Sequence, residues 1–435
     1  MKRISNELLK EDYYYIMLNN GLHVYLIPRP KFNRCYGLFS TKFGSCDQEF
    51  VPLNKDDFIT VPAGVAHFLE HKTFEQENGI DASEIFANFG GEANAYTTYD
   101  KTVYMFTATS NITEQITTLL DFVQTPYFTK ENVDKERKII EQEVRMYLDR
   151  PQTSLYLNLL DNMYYMNYVK NDIGGTLESI KKIDVDTLYT CYNTFYHPSN
   201  MTFVLVGNFD LDKISEIISK NQDEKAYTSK PKIKRRYYLE DNKVNNKDTT
   251  STFDVTRPKV GCGLKFSVLG EDPITIYKNM IVLDILIDMF FDESSDFYYQ
   301  MLEKGIIDNS FSYDTYYEPT YAHVIFTVNT LNYQAFKTEI EKELLRIKDV
   351  KLDEKTFERY KKVELANSIA RFNSIEYIAN LILDLDALGL ELFDSIDLKN
   401  NITLEDLNKF KSRFVHEAIT FHTILPLKKE NPHSL

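Results

Sequence analysis

Cysteine is scarce in this chain of 435 residues, which contains only four. No two of them form a C-x-x-C pair, and each stands alone in its own stretch: Cys35, Cys46, Cys191 and Cys262. Small secreted scaffolds depend on dense, regularly spaced cysteines that pair as disulfides. The scattered cysteines therefore favour a protein of the reducing cytoplasm over a disulfide scaffold.

Long apolar runs are lacking as well. No stretch approaches the roughly 18 apolar residues that identify a membrane-spanning helix. Residues 1–7 include charged side chains, and Lys10, Glu11 and Asp12 follow before any apolar segment of a signal peptide could form. We expect no membrane segment and a cytoplasmic location.

Basic residues are in the minority. The chain has 50 Lys and Arg against 65 Asp and Glu, which gives a formal net charge of −15. Because phosphate backbones bind basic surfaces, nucleic acid is excluded as an expected partner. The chain is otherwise 43% hydrophobic and 26% charged, as is ordinary for a globular protein. Its length exceeds that of a single ordinary core, so two or more domains are expected.

Residues 66–71, Ala-His-Phe-Leu-Glu-His, combine metal-binding side chains at helical spacing. On a helix, His67 and His71 project from one face, one turn above the other, so both imidazoles can reach one Zn²⁺. Glu70 lies beside them, where its carboxylate can act on water. This H-x-x-E-H order is typical of inverzincins. The alternative is an amphipathic helix that happens to carry two surface histidines.

A second charged helix is predicted from about residue 130 to residue 148. Apolar residues between 139 and 146 supply its packing stripe. Glu136 and Glu143 are seven residues apart and therefore share another stripe, two turns apart. A solvated acidic face would be the first interpretation of these glutamates if the histidine motif were absent.

The other elements of the first half follow from alternation and turn signals. They are strands at 21–28, 35–45, 95–98, 102–108 and 201–206, and helices at 81–89, 112–123, 153–168 and 185–194. Residues 47–60 are predicted to be loop, and His23 is predicted to be a strand-surface residue. Gly90 and Gly91 end the helix at 81–89.

The order strand, helix, strand pair, two helices occurs twice, at a spacing of roughly 220 residues, which indicates an internal duplication. The predicted fold class is α+β, with two homologous α/β-sandwich domains, each a mainly antiparallel sheet packed with helices. The predicted domains are 1–220 and 251–435. A polar linker, 221–250, joins them and holds a short strand at 237–239.

The second copy lacks the metal-binding residues. Its apolar helix is predicted at 276–291, and residues 283–289 of it contain no histidine. Alignment of the two copies places Asn367 opposite Glu143. If the histidines and glutamates served only as scaffold, the second copy would need them equally. Any metal site is therefore expected in the first half alone.

With these features together, the sequence resembles the zinc metallopeptidases of the pitrilysin, insulysin and mitochondrial-processing-peptidase family. The resemblance spans nearly the whole chain and rests on residues 64–71, 90–97, 136–143, 174–180 and 196–201. The length resembles the half-length bacterial branch, in which two such chains pair. The implied activity is zinc-dependent endopeptidase cleavage of extended peptides.

The resemblance also implies roles for particular residues. Glu143 matches the third zinc ligand after His67 and His71, and Glu136 matches the residue that supports the site. Glu70 matches the general base. Asn94 and Ala95 match the open edge strand to which a peptide substrate adds. For Asn94, turn chemistry after the two glycines is the alternative.

One departure concerns the second half. Active relatives carry an arginine and a tyrosine there, seven residues apart, that hold the substrate. Anchored on Gly305, these positions fall at Met301 and Asp308. We therefore expect a heterodimer in which a related chain supplies both residues, with a homodimer as the alternative. A non-catalytic scaffold or binding subunit is the alternative function.

Overall fold

The computed structural model describes residues 1–7, 9–53, 55–225, 227 and 232–427. The strands, in chain order, are β1 (Lys2–Asn6), β2 (Glu11–Met17), β3 (His23–Pro28), β4 (Cys35–Thr41), β5 (Glu49–Phe50), β6 (Ile59–Thr60), β7 (Gly91–Thr97), β8 (Thr102–Ala108), β9 (Met201–Gly207), β10 (Asp248–Phe253), β11 (Lys259–Phe266), β12 (Ser312–Tyr317), β13 (Ala322–Asn329) and β14 (Ile419–Pro426).

The helices, in chain order, are α1 (Val65–Thr73), α2 (Ala82–Asn88), α3 (Ile112–Val123), α4 (Lys130–Leu148), α5 (Pro151–Met163), α6 (Leu177–Ile180), α7 (Val185–Phe195), α8 (Leu211–Glu224), α9 (Pro273–Phe291), α10 (Asp296–Glu303), α11 (Tyr333–Asp349), α12 (Glu354–Arg371), α13 (Ile375–Leu388), α14 (Asp394–Asn401) and α15 (Leu404–Phe410). Within the described ranges, none of these helices combines the length and apolar character needed to cross a bilayer.

Packing divides the chain into two compact units, each built from three segments. The first unit comprises Met1–Val144, Asp172–Tyr237 and Ser368–Ser395. The second comprises Arg145–Asn171, Tyr238–Asn367 and Ile396–Leu435, of which the structure describes residues up to 427. These units are discontinuous in sequence. The predicted domains 1–220 and 251–435 describe the two similar halves of the sequence, and they stay a prediction.

The first unit contains a seven-stranded sheet in the order β1-β2-β3-β9-β4-β8-β7. Only the β3–β9 pair is parallel, and the other neighbours are antiparallel. Strands β4 and β9 are buried along their whole length, as expected of central strands. Strand β7 is an edge strand of this sheet.

Helix α13 belongs to this first unit although it comes late in the chain, and Asp386 fixes it to the sheet. The carboxylate of Asp386 accepts hydrogen bonds from His23 (2.6 Å), Tyr25 (2.8 Å) and Thr202 (2.7 Å), and Lys42 lies 3.0 Å away. Burial alone would raise the pKa of Asp386, but the hydrogen bond from His23 and the charge of Lys42 hold this pKa well below its usual value. His23, expected only to lie on a strand surface, therefore has a structural partner.

The second unit contains a five-stranded sheet in the order β10-β14-β11-β13-β12. The β10–β14 pair is parallel and the other pairs are antiparallel. Helix α9 packs on this sheet, and helix α5, from the first half of the sequence, packs against β11 and β14. Helix α5, from the first half of the sequence, thus belongs to the second unit, and helix α13, from the second half, belongs to the first unit.

The predicted fold class is confirmed, since the two large sheets are mainly antiparallel and both carry helices. The predicted linker 221–250 differs in detail: α8 extends into it to Glu224, and β10 begins within it at Asp248. The short strand predicted at 237–239 does not form. A side chain connects this segment to residues 165–167 instead, since the carboxylate of Glu240 accepts hydrogen bonds from their backbone N–H groups.

Candidate metal centre

Glycines fix the start of helix α1. Gly64 precedes the helix with φ +90°, a conformation that side chains disfavour. A Cβ at Gly64 would lie 2.6 Å from the carbonyl oxygen of Gly174, and a Cβ at Gly175 would lie 2.5 Å from that of Ala63. The two loops therefore approach closely only because these positions are glycine. This contact accounts for the Gly174-Gly175 motif.

Helix α1 turns one face toward the core and another toward the site. Phe68 and Leu69 are fully buried, and the helix packs against α7, β7 and β8. His67 and His71 point the other way and are partly buried, with side chains 15% and 26% exposed. The helical period thus separates the packing residues from the metal-binding residues, as the sequence predicts.

Glu143, on helix α4, lies against both histidines although 72 positions separate it from His71. Its Oε2 atom is 3.8 Å from Nε2 of His67 and 3.5 Å from Nε2 of His71. One ligand atom from each of the three residues lies within 4.8 Å of the others. The structure therefore brings together the two histidines and the glutamate that the sequence singled out.

These spacings fit a zinc ion. Zinc binds imidazole nitrogen and carboxylate oxygen at about 2.0–2.2 Å, so tetrahedral ligands of one ion lie about 3.4 Å apart. The two distances to Glu143 are close to that value. Two imidazoles and one carboxylate make three protein ligands, which leaves a fourth position open, as in catalytic zinc sites.

The ionisation of His67 suits a ligand. Burial, and then the charge of His71, lower the pKa of His67 to about 4, so its ring is neutral at pH 7. Metal ligation requires a neutral imidazole.

Glu136 contacts His71 on the side of the ring that faces away from Glu143. Its Oε1 atom accepts a hydrogen bond from Nδ1 of His71 at 3.0 Å, which leaves Nε2 of that ring directed at Glu143. Burial, the largest single effect, opposes the charges of both groups. Their mutual hydrogen bond and the opposite charges around them together outweigh it, so the pKa of His71 is raised and that of Glu136 is lowered. A carboxylate behind a histidine ligand fixes its tautomer and orientation.

Glu70 lies on the same helix turn and is held by Thr97. The hydroxyl of Thr97 donates to Oε2 of Glu70 at 2.6 Å, and it is the only hydrogen-bond donor to Glu70 among the described residues. Burial raises the pKa of Glu70, which the hydrogen bond from Thr97 partly opposes. A raised pKa brings a carboxylate closer to the range in which it exchanges protons near neutral pH.

Strand β7 borders a cavity of about 480 Å³ beside Glu70 and His71. The strand pairs with β8 on one side and has no other strand partner within the described ranges. Asn94 and Ala95 line this cavity. Asn94 lies within the strand, with its Oδ1 accepting from the backbone N–H of Ala95 at 2.8 Å, so it does not form part of the turn at Gly90.

The matching helix of the second unit carries two aspartates at the same four-residue spacing. Asp284 accepts a hydrogen bond from Thr315, and Asp288 accepts one from Tyr313 at 2.8 Å. Burial raises the pKa of Asp284 to about 7. In the described part of the chain, no second group of three metal-binding side chains converges as the first one does.

Met301 and Asp308 occupy the positions at which the resemblance leads us to expect arginine and tyrosine. Met301 is buried in α10, with 2% of its surface exposed. Asp308 follows that helix and accepts hydrogen bonds from the backbone and hydroxyl of Ser310. Met301 therefore packs inside the second unit, and Asp308 stabilises the turn that follows α10.

Sequence reasoning missed two residues near the site, Thr97 and Lys72. Thr97 ends the segment 90–97, but spacing along the chain gave no sign that it reaches Glu70. Lys72 is fully buried, pairs with Glu75, and its charge helps to lower the pKa of Glu136. In the sequence, Lys72 falls among the apolar positions of α1 and next to His71, and this pattern could have indicated a buried, paired lysine.

Comparisons with known proteins identify the family of this chain. A family model described as insulinase, peptidase family M16, matches residues 61–177, and one described as the peptidase M16 inactive domain matches residues 182–364. The uncharacterised zinc protease YmfH of Bacillus subtilis is 39% identical over 430 residues, which cover 98% of this chain and 99% of YmfH.

Solved structures show the same fold. An M16-like peptidase from Alicyclobacillus acidocaldarius matches with a TM-score of 0.92 at 33% identity, over 98% of this chain and 100% of that one. Pitrilysin matches with a TM-score of 0.75 at 14% identity, over 99% of this chain and 47% of pitrilysin. The second likeness concerns the fold alone.

Proposed function

The chain belongs to the M16 family of insulinase-like peptidases, and on this premise we propose that it is a zinc-dependent endopeptidase that cleaves extended peptides. The observation that carries the proposal is the convergence of His67, His71 and Glu143, with Glu70 beside them. Three protein ligands together with a neighbouring carboxylate are the set that metal-assisted hydrolysis needs.

In this proposal His67, His71 and Glu143 hold the zinc ion, and Glu136 orients His71. When bound, zinc lowers the pKa of water to about 7 and polarises the peptide carbonyl. Glu70 takes a proton from water and later delivers one to the leaving amine. The burial that raises the pKa of Glu70 supports this second step, because a carboxyl group must be protonated before it can act as an acid.

The substrate is proposed to be an extended peptide that adds to strand β7. The strand stands at the edge of its sheet, next to the cavity beside Glu70. Backbone hydrogen bonds to an edge strand give affinity with little sequence preference, since every residue offers the same donor and acceptor. Asn94 and Ala95 are the proposed contacts on this strand.

The proposed assembly is a heterodimer with a related chain that supplies an arginine and a tyrosine, and a homodimer is the alternative. The buried Met301 and the hydrogen-bonded Asp308 support the need for such a partner. The proposed compartment is the cytoplasm, in line with four cysteines that are all unpaired and buried.

The test compares peptide cleavage and zinc content in wild type, Glu70→Gln, His71→Ala and the control His416→Ala, each with and without the related chain. His416 is a largely exposed histidine of the second unit, paired with Glu341. Wild type with its partner should cleave, and the chain alone should bind zinc and cleave poorly. We expect Glu70→Gln to keep zinc and lose at least about 100-fold in kcat, His71→Ala to lose zinc, and His416→Ala to match wild type.

Three outcomes of this test would contradict parts of the proposal. Cleavage by Glu70→Gln would remove Glu70 as the base. High turnover by a demonstrated monomer or homodimer would remove the heterodimer. Zinc binding without cleavage under every condition would favour the alternative, a non-catalytic scaffold or binding subunit.

A further inference from the structure

We propose that Thr97 is a positioning residue, which holds the carboxylate of Glu70 in place and links it to strand β7. The inference rests on the proposed function, because it assigns Thr97 a role toward the proposed general base. Among the described residues, the Thr97 hydroxyl hydrogen-bonds to Glu70 and to none of the three metal-binding side chains, so its effect is expected to pass through Glu70.

The contact between Thr97 and Glu70 has the geometry of a strong hydrogen bond. The distance of 2.6 Å between Oγ1 and Oε2 lies within the range of charge-assisted O–H···O⁻ bonds, about 2.5–2.7 Å. Partial burial makes such a bond more effective, because electrostatic attraction is stronger where the local dielectric constant is lower than that of water. One donor therefore sets the orientation of this carboxylate.

Neighbouring groups fix the direction in which Thr97 donates. Oγ1 of Thr102 lies 3.4 Å away and donates its own hydrogen to the carbonyl oxygen of Phe43 at 2.8 Å. Thr102 is fully buried and therefore rigidly placed. With its proton committed to Phe43, Thr102 could only accept from Thr97. The carboxylate of Glu70 is the closer acceptor, at 2.6 Å against 3.4 Å, so Thr97 donates to Glu70.

The position of Thr97 in the chain gives the contact its functional meaning. Thr97 is the last residue of β7, the edge strand proposed to pair with the substrate. Glu70 is on helix α1, between the two proposed histidine ligands. A single hydroxyl thus joins the proposed peptide-binding strand to the base, so that a peptide seated on β7 lies at a fixed place relative to the Glu70 carboxylate.

The second unit supplies a matched control. There, Thr315 on the edge strand β12 donates to Asp284 on helix α9. The link between edge strand and helix is the same in kind, but no metal-binding group converges there among the described residues. A purely structural role would make Thr97 and Thr315 equivalent, whereas a positioning role makes only Thr97 affect the reaction.

The experiment compares Thr97→Val, Thr97→Ser and Thr315→Val with wild type, each assembled with its partner chain. We expect Thr97→Val to lower kcat by about 100-fold, the scale of effect of a catalytic group displaced by about 1 Å, with KM within about twofold of wild type. Zinc content should not change. Thr97→Ser should recover most of kcat, and Thr315→Val should leave both constants unchanged.

A crystallographic readout tests the inference independently of activity. In Thr97→Val the carboxylate of Glu70 should turn away from its wild-type position, and in Thr97→Ser it should keep it. An unmoved carboxylate or an unchanged kcat in Thr97→Val would overturn the inference, as would a loss of kcat in Thr97→Ser equal to that in Thr97→Val. If Thr97→Val does not fold, Thr97→Ala serves with the same two readouts.

The two proposals can fail separately. If wild type shows no zinc-dependent cleavage while the carboxylate turns in Thr97→Val, the proposed function fails, although Thr97 still orients the Glu70 carboxylate. If wild type cleaves and the carboxylate stays in place without Thr97, the positioning role fails and the proposed function stands.

Discussion

At the scale of single residues, the candidate site depends on side chains that hold other side chains. Glu136 fixes the ring of His71, and Thr97 fixes the carboxylate of Glu70. Each of these pairs joins α1 to a different element, α4 in one case and β7 in the other. The metal-binding geometry is therefore set by contacts distant in sequence rather than by the H-x-x-E-H motif alone.

Glu136→Gln should weaken zinc binding by about 10- to 100-fold, the usual cost of removing the carboxylate behind a histidine ligand. The amide can still accept the hydrogen bond from His71, but it lacks the negative charge that makes the ring a better ligand. Zinc affinity measured by competition with a chromogenic chelator checks this result. Glu141→Gln, on the same helix, is the control and should match wild type; equal affinities for all three proteins would contradict the role of Glu136.

At the scale of elements, local signals predicted the helices that carry the site. Helix α4 has the predicted bounds, 130–148, because its apolar stripe and its charges keep a helical period throughout. Helix α2 is capped by Asp81 and followed by Gly90 at φ +76°, as the paired glycines indicated. Signals of this kind lie within a few residues of the element they define.

The structure departs from the sequence-based expectations where contacts are distant. Nothing near Asp386 in the sequence reveals that it meets His23 and Thr202 on the first sheet. The exchange of α5 and α13 between units also depends on tertiary packing, so continuous domain boundaries could not anticipate it. The role of Thr97 was hidden for the same reason.

Asp386→Asn should destabilise the first unit at pH 7 by about 3 kcal/mol, the cost of breaking a buried ion pair. The folded pKa of Asp386 lies below its unfolded value of about 3.9, so the stabilisation is present above that pH and is lost as pH falls through the folded pKa. Urea denaturation at several pH values, with hydrogen exchange in α13, checks this effect. A deficit in Asp386→Asn that does not shrink below about pH 4 would contradict the account.

At the scale of the whole molecule, a duplicated fold carries one candidate metal centre. The first unit places His67, His71 and Glu143 together, while the matching helix of the second unit carries Asp284 and Asp288. Because the ligand set is present once among the described residues, one zinc ion per chain is expected, bound in the first unit.

Anomalous diffraction at the zinc absorption edge, from crystals of the zinc-loaded chain, would locate this zinc ion. We expect one strong peak per chain, within about 2.2 Å of a nitrogen of each histidine and a carboxylate oxygen of Glu143. A chain without a peak at that position, or one whose zinc lies on the second unit instead, would contradict it.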